Sequence, residues 1–273
     1  MADALSIMLW PLIACLLLPG ILVYYGLHIV RREIIFVDLA LAQVAALGIC
    51  VAILLKHEPH DWQTYGYSFG FTFVGAAIFT LTRTRDRRVP QEALIGIVYV
   101  VAAAAAILML SQSAEGNEEL KRTLVGDILL VQPGEVFRAF TLYAVIGVIH
   151  LLCRRRFLMI SFEPERAVAE GVSVRGWDFL FYVLFGFVVT SFVRIGGVLM
   201  IFSYLIVPAA CANLLVESLR DKLLVGWLTA TISSIAGLYA SYKLDLPTGA
   251  AIVCALGGAL LLVAGAASFQ RRN

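Results

Sequence analysis

The chain has 273 residues, 61% of them apolar and 15% charged, with a mean hydropathy of +0.90 and a net charge of +2. A soluble domain of this length is nearer half apolar and a quarter charged, so an ordinary soluble enzyme is excluded and no nucleic-acid partner is expected. The apolar residues gather in runs of roughly 16–27, and about 20 are enough to cross a bilayer core.

The first run opens the chain, MADALSIMLWPLIACLLLPG, and continues to about Val30. Asp3 stands where a signal peptide carries basic residues, and the run exceeds the roughly 7–15 residues of a cleaved apolar region. It reads as a retained span. Eight further helices are predicted at about 34–55, 65–82, 91–110, 136–152, 178–193, 198–216, 223–241 and 247–268. The pair 178–193 and 198–216 is separated only by Arg194-Ile195-Gly196-Gly197, and reads either as two crossings or as one discontinuous segment. The expected fold class is therefore all-α, a polytopic transmembrane helix bundle of eight or nine spans, with 1–273 as a single domain.

Basic residues orient the spans. Arg31, Arg32, Arg83, Arg85, Arg87, Arg88, Arg154, Arg155, Arg156, Arg166, Arg175, Arg220, Lys222, Arg271 and Arg272 fall in one set of alternate connections. Lys56, Lys121, Arg122, Arg138, Arg194 and Lys243 fall in the other, a split of 15 to 6 that accounts for all 21. The positive-inside rule puts the richer set in the cytoplasm, with the N-terminus outside and the C-terminus inside.

Five cysteines lie in or at the ends of the runs without a C-x-x-C pair, which argues against a disulfide framework or a zinc knuckle. Pro11, Pro19 and Pro208 fall within spans, and Gly66-x-x-x-Gly70 offers a face for close helix approach. Pro208 either reflects ordinary membrane packing or breaks a helix that lines a pathway, in which case Met200, Ser203 and Tyr204 before it are candidate lining groups. In Lys56-His57-Glu58-Pro59-His60-Asp61-Trp62, the residues His57, His60 and Asp61 are weak metal-ligand candidates. The same stretch also suits a polar interfacial loop anchored by Trp62 and Tyr65.

The stretch 153–177, CRRRFLMISFEPERAVAEGVSVRGW, is the most informative connection. Pro164 suits the first turn of a helix, Glu163 and Glu165 suit its positive end, and Gly171 is a natural stop. A helix of one or two turns on the cytoplasmic face fits either a solvated connector or a docking element for a cytosolic motor. No G-x-x-x-x-G-K-[ST] loop or H-E-x-x-H helix is present, so active transport would draw its energy from a partner or an ion gradient.

From Phe162 to Leu215 the sequence resembles the ABC-3 family of permeases, the membrane subunits of zinc, manganese and iron ABC importers. The family's F-D-P-x-x-A-x-x-x-G motif is matched at 162–171, its glycine break at Gly196-Gly197, and its L-I-x-P-A-x-x-A at 205–212, with Glu163 replacing the usual Asp. Glu92-Ala93-Leu94-Ile95-Gly96-Ile97 and Leu124-Val125-Gly126-Asp127-Ile128-Leu129 are similar to two further family motifs. The resemblance implies an importer permease in a bacterial or archaeal cytoplasmic membrane. It implies a homodimer with two ATPase subunits, which bind the ATP, and an external metal-binding protein. Phe162, Glu163, Pro164, Glu165, Ala167 and Gly171 then belong to the coupling helix that receives the ATPase stroke.

Family members carry D-A-x-S-H early in the second span, with the Asp and His associated with the metal. Aligned on Gly48, this chain has Leu39 and Gln43 at those positions. Asp38 lies five residues before Gln43, about 140° around a helix, and so does not restore the pair. Asp38 is expected either to pair with a basic side chain or cap a neighbouring helix, or to serve with Gln43 as a relocated pathway group, since ionisable residues in spans are functional candidates.

Overall fold

The computed structural model describes residues 2–58, 61–82, 90–111, 126 and 128–270. Every regular element among them is helical, and seven helices are long and apolar enough to cross a membrane.

The elements in chain order are α1 (Ala2–Arg32), α2 (Val37–Leu54), α3 (Trp62–Leu81), α4 (Gln91–Leu110), a 3-10 turn (Ile128–Leu130), and α5 (Pro133–Leu152). Then come α6 (Arg154–Phe162), α7 (Pro164–Ala169), α8 (Val174–Leu215), α9 (Leu219–Leu244) and α10 (Thr248–Gln270). Helix α3 is not one of the seven apolar helices; it carries more polar residues, of which Thr64, Ser68, Thr72 and Thr80 are buried. Two of these hydroxyls are satisfied within the helix: Thr72 and Thr80 donate to the carbonyls of Ser68 and Ala76, four residues back.

The predicted pair around Arg194 is one helical run of 42 residues, interrupted only at Gly197, with φ 73° and ψ 171°. A side chain there would be strained, so glycine is what permits the break. Residues 174–196 rise roughly 34 Å and 198–215 roughly 27 Å, each comparable to a bilayer core of about 30 Å.

Two compact units emerge. One comprises Met1–Val30, Val125–Tyr143 and Arg194–Asn273, and the other Arg31–Leu124 and Ala144–Val193. Within the second, α2 packs on α3 and α4 with 13 buried residues in its 18. Close approach is made by Gly48, where a Cβ would lie 2.7 Å from the Tyr67 carbonyl oxygen. Gly66 and Gly70 have nothing within 4 Å of a built Cβ, so the predicted close-approach face is not used among the described residues. Thr72 and Thr190 join α3 to α8 at 2.9 Å.

Within the first unit, α9 packs on α10, Gly237 lying against the Ile252 backbone. The Trp227 indole donates to the Leu16 carbonyl at 2.9 Å, holding α9 on α1. Gly126, with φ 71°, is in backbone contact with the Gly196–Gly197 peptide. Two glycine-dependent conformations thus meet at the α8 break, and any Cβ at 126 would overlap that peptide.

Candidate functional site: a short exposed helix and a buried carboxylate

The segment 162–172 is built much as its residues suggest. Helix α7 starts with Pro164 at its first position, where the missing N–H costs nothing. It closes with Gly171 at φ 71°. The Val172 N–H donates to the Ala167 carbonyl at 2.9 Å and the Gly171 N–H to the Val168 carbonyl at 3.1 Å, the paired bonds of a Schellman stop.

Ala167 is fully buried while Glu163, Pro164, Glu165, Arg166, Val168, Ala169, Glu170 and Gly171 are exposed. The helix therefore stands on one small residue and presents the rest outward. Arg166 bridges Glu163 and Glu170, both at 2.8 Å, and these carboxylates raise its pKa above the ordinary arginine value. Pairs this exposed add little stability, but they fix the charge pattern of the ridge.

The base of the segment is more elaborate than the sequence suggests. Arg32, the last residue of α1, donates from Nε to Ser161 Oγ at 2.8 Å and from a terminal nitrogen to Asp178 Oδ1 at 3.0 Å. Both charged side chains are buried, at 5% and 0% exposure. The guanidinium lies 4.0 Å from the Phe181 ring centre, and Arg31 lies 6.0 Å from that of Phe162. Phe157 stacks on His150 at 4.2 Å and meets Phe181 at 6.1 Å, which keeps the surroundings apolar. Breaking a buried pair of this kind by deleting one partner costs about 3–5 kcal/mol. Sequence reasoning counted Arg32 only as a topology marker and missed Asp178; an acidic residue at the start of an apolar run was the available signal.

The second-span candidates are both buried. Gln43 is 4% exposed and Asp38 is completely enclosed. The Asp38 carboxylate has no completed hydrogen bond on either oxygen, although its own N–H and that of Leu39 approach it at the start of α2. Among the described residues neither carboxylate oxygen has a hydrogen-bond partner, so the pairing with a basic side chain, one of the roles expected for Asp38, is not found there.

Met200, Ser203 and Tyr204 lie in the other unit, after the α8 break, and all are buried. Ser203 donates to the Leu199 carbonyl at 2.9 Å, and the Tyr204 hydroxyl meets Ser234 Oγ at 2.5 Å, with the Cys15 thiol beside both. This makes Tyr204 a polar junction of α1, α8 and α9.

At the third location, His57 follows the end of α2, where Lys56 adopts φ 66°, and its ring lies 5.8 Å from that of Tyr67. Asp61 precedes α3 as its N-cap residue. The two therefore do not share one helix face, and His60 lies outside the described residues. Among the described residues, no three His, Cys, Asp or Glu side chains converge on a metal position.

Gly66-Tyr67-Ser68-Phe69-Gly70 has the spacing of a hydrolase nucleophile elbow. It lies inside α3, however, and Ser68 donates to the buried Ala45 carbonyl at 3.0 Å. It is a packing contact.

Residues 4–267 match the model of the ABC 3 transport family. The manganese transport system membrane protein MntC of Listeria monocytogenes is 28% identical over 207 residues, covering 73% of this chain and 74% of its own length. The manganese import system permease protein ScaB of Streptococcus parasanguinis is 26% identical over 255 residues, covering 91% and 86%. The solved structure of PsaBC from Streptococcus pneumoniae in complex with a Fab superposes with a TM-score of 0.81 at 23% identity, covering 96% of this chain and 93% of its own. That last likeness speaks for the fold. With a family match spanning nearly all of its length, the chain belongs to the ABC 3 transport family.

Proposed function

We propose that the chain is the permease of an importer that carries a transition metal ion into the cytoplasm, manganese(II) first among the ions to be tested, while a separate subunit hydrolyses ATP. The observation that carries this reading is α7: a short helix with a fixed start and stop, one buried foot at Ala167 and an outward ridge over 163–171. The names of the curated relatives support a metal as cargo, and manganese in particular.

In this reading 1–273 acts as one permease. The N-terminus is outside and the C-terminus cytoplasmic, in a bacterial or archaeal inner membrane. Opposite-side termini require an odd number of crossings, which is met by nine when α3 and both arms of α8 each cross. Two copies work with two ATPase subunits and an external metal-binding protein. Asp38 and Gln43 serve the metal's path at the start of the second span, and a route of weak ligands suits rapid release. Met200, Ser203 and Tyr204 form part of the helix beyond the α8 break, and His57, His60 and Asp61 stand as an outer metal-contacting group.

The test is co-purification with the ATPase subunit, followed by uptake of radiolabelled manganese, zinc and iron in proteoliposomes. ATP-dependent uptake of one of these ions is expected, with ATPase activity falling when 163–171 is replaced by a glycine-serine linker. Failure to retain any ATPase subunit, or uptake independent of ATP, would overturn the proposal in favour of a transporter working alone.

A further inference from the structure

We infer that Arg32, Ser161 and Asp178 form a buried clamp that transmits movement of the coupling segment into the membrane helices, an inference that rests on the coupling role proposed for 163–171. Ser161 lies three residues before Pro164, and Asp178 lies seven after Gly171. Arg32 holds both, at 2.8 Å and 3.0 Å. The chain from 161 to 178 is thus a loop whose two ends are tied to one guanidinium, and that guanidinium terminates α1.

A loop open at its base would bend under a push on its tip. Tied in this way, it moves as a body and takes the end of α1 and the first turns of α8 with it. Arg31 beside Phe162 and the fully buried Ala167 remove the remaining slack on the inner side.

The chemistry fits fixed geometry better than stability. A buried ion pair is weak evidence for stability, because apolar residues of similar volume often do as well or better. A guanidinium differs in presenting several donors in a rigid planar fork. Here two of its nitrogens hold two different segments, and its face lies on Phe181. An apolar substitute could fill the same space but could not hold the two strands of the loop in one orientation. Arg32, Ser161 and Asp178 are positioning residues, acting through the coupling segment.

The experiment uses the complete complex with its ATPase subunit in proteoliposomes, with manganese(II) as probe, and reads uptake and ATP hydrolysis on the same preparation. Three variants are compared: Ser161→Ala, Arg32→Lys, and the apolar double variant Arg32→Met with Asp178→Leu. Manganese moved per ATP is expected to fall about fivefold or more in each, within the range produced by residues on a coupling route. ATPase retention is expected to stay at the wild-type level in Ser161→Ala and in the double variant, and so is the thermal midpoint of the double variant, whereas Ser161→Ala lowers the midpoint modestly because the buried Arg32 Nε–H loses that acceptor.

An unchanged ratio in the double variant would overturn the inference, since apolar packing alone would then suffice. Uptake and hydrolysis falling in step, with the ratio intact, would also overturn it. So would loss of the ATPase subunit from Ser161→Ala, because the serine would then be shaping the docking surface. Should the double variant fail to assemble, Ser161→Ala and Arg32→Lys decide the question. Failure of the coupling reading itself would show differently, as a wild-type complex without ATP-dependent uptake.

Discussion

Asp38 is placed where folding gains nothing from its charge. The carboxylate is enclosed, neither oxygen completes a hydrogen bond, and a buried polar group without partners costs roughly 1–3 kcal/mol or more. Its position in the first turn of α2 offsets part of that through the helix dipole. A residue that weakens the fold and persists in a membrane helix points to function. Asp38→Leu should therefore raise the thermal midpoint of the purified complex and lower metal uptake about tenfold or more. A variant less stable than wild type with uptake intact would show that Asp38 is structural.

At the scale of elements, α7 depends on how its ends are made. Gly171 sits at φ 71° with open space around it, so alanine there meets no clash but must adopt a left-handed conformation. The cost is about 1 kcal/mol, concentrated on a helix of only six residues. Gly171→Ala should leave global unfolding nearly unchanged while raising amide exchange over 164–172 and lowering ATP-coupled uptake several-fold. Gly171→Asn, which tolerates the same backbone region, should recover most of both.

The same elements show how much was legible beforehand. Pro164, the flanking acids and Gly171 announce α7 because capping and turn chemistry are local, and the structure supplies both bonds of the stop. The break after Arg194 was readable from paired glycines. The clamp was not, since Arg32 lies 129 residues from Ser161 and 146 from Asp178, and no local rule links such positions.

At the scale of the molecule, the proposed orientation and nine crossings can be checked with single cysteines in a cysteine-free background, labelled by a membrane-impermeant maleimide. Glu58→Cys should label from outside intact cells, and Glu165→Cys only after permeabilisation. Glu217→Cys, after the second arm of α8, should label from inside along with Glu165→Cys if both arms cross and α9 returns outward. Labelling of Glu217→Cys from outside would reduce the α8 arms to a single crossing.

The sequence by itself determined that this chain lives in a membrane, because the free energy of placing runs of about 20 apolar residues in lipid depends on composition and not on partners. It also determined the family and the place of the short helix α7, through short motifs whose backbone demands are met within a few residues. Tertiary structure alone decided what those residues do to one another. Among the described residues it left the Asp38 carboxylate without a basic partner, gave Tyr204 to Ser234, and closed the base of the 161–178 loop on Arg32. Pairing of this kind depends on which helices lie side by side at which depth, and that is settled by packing over the whole chain.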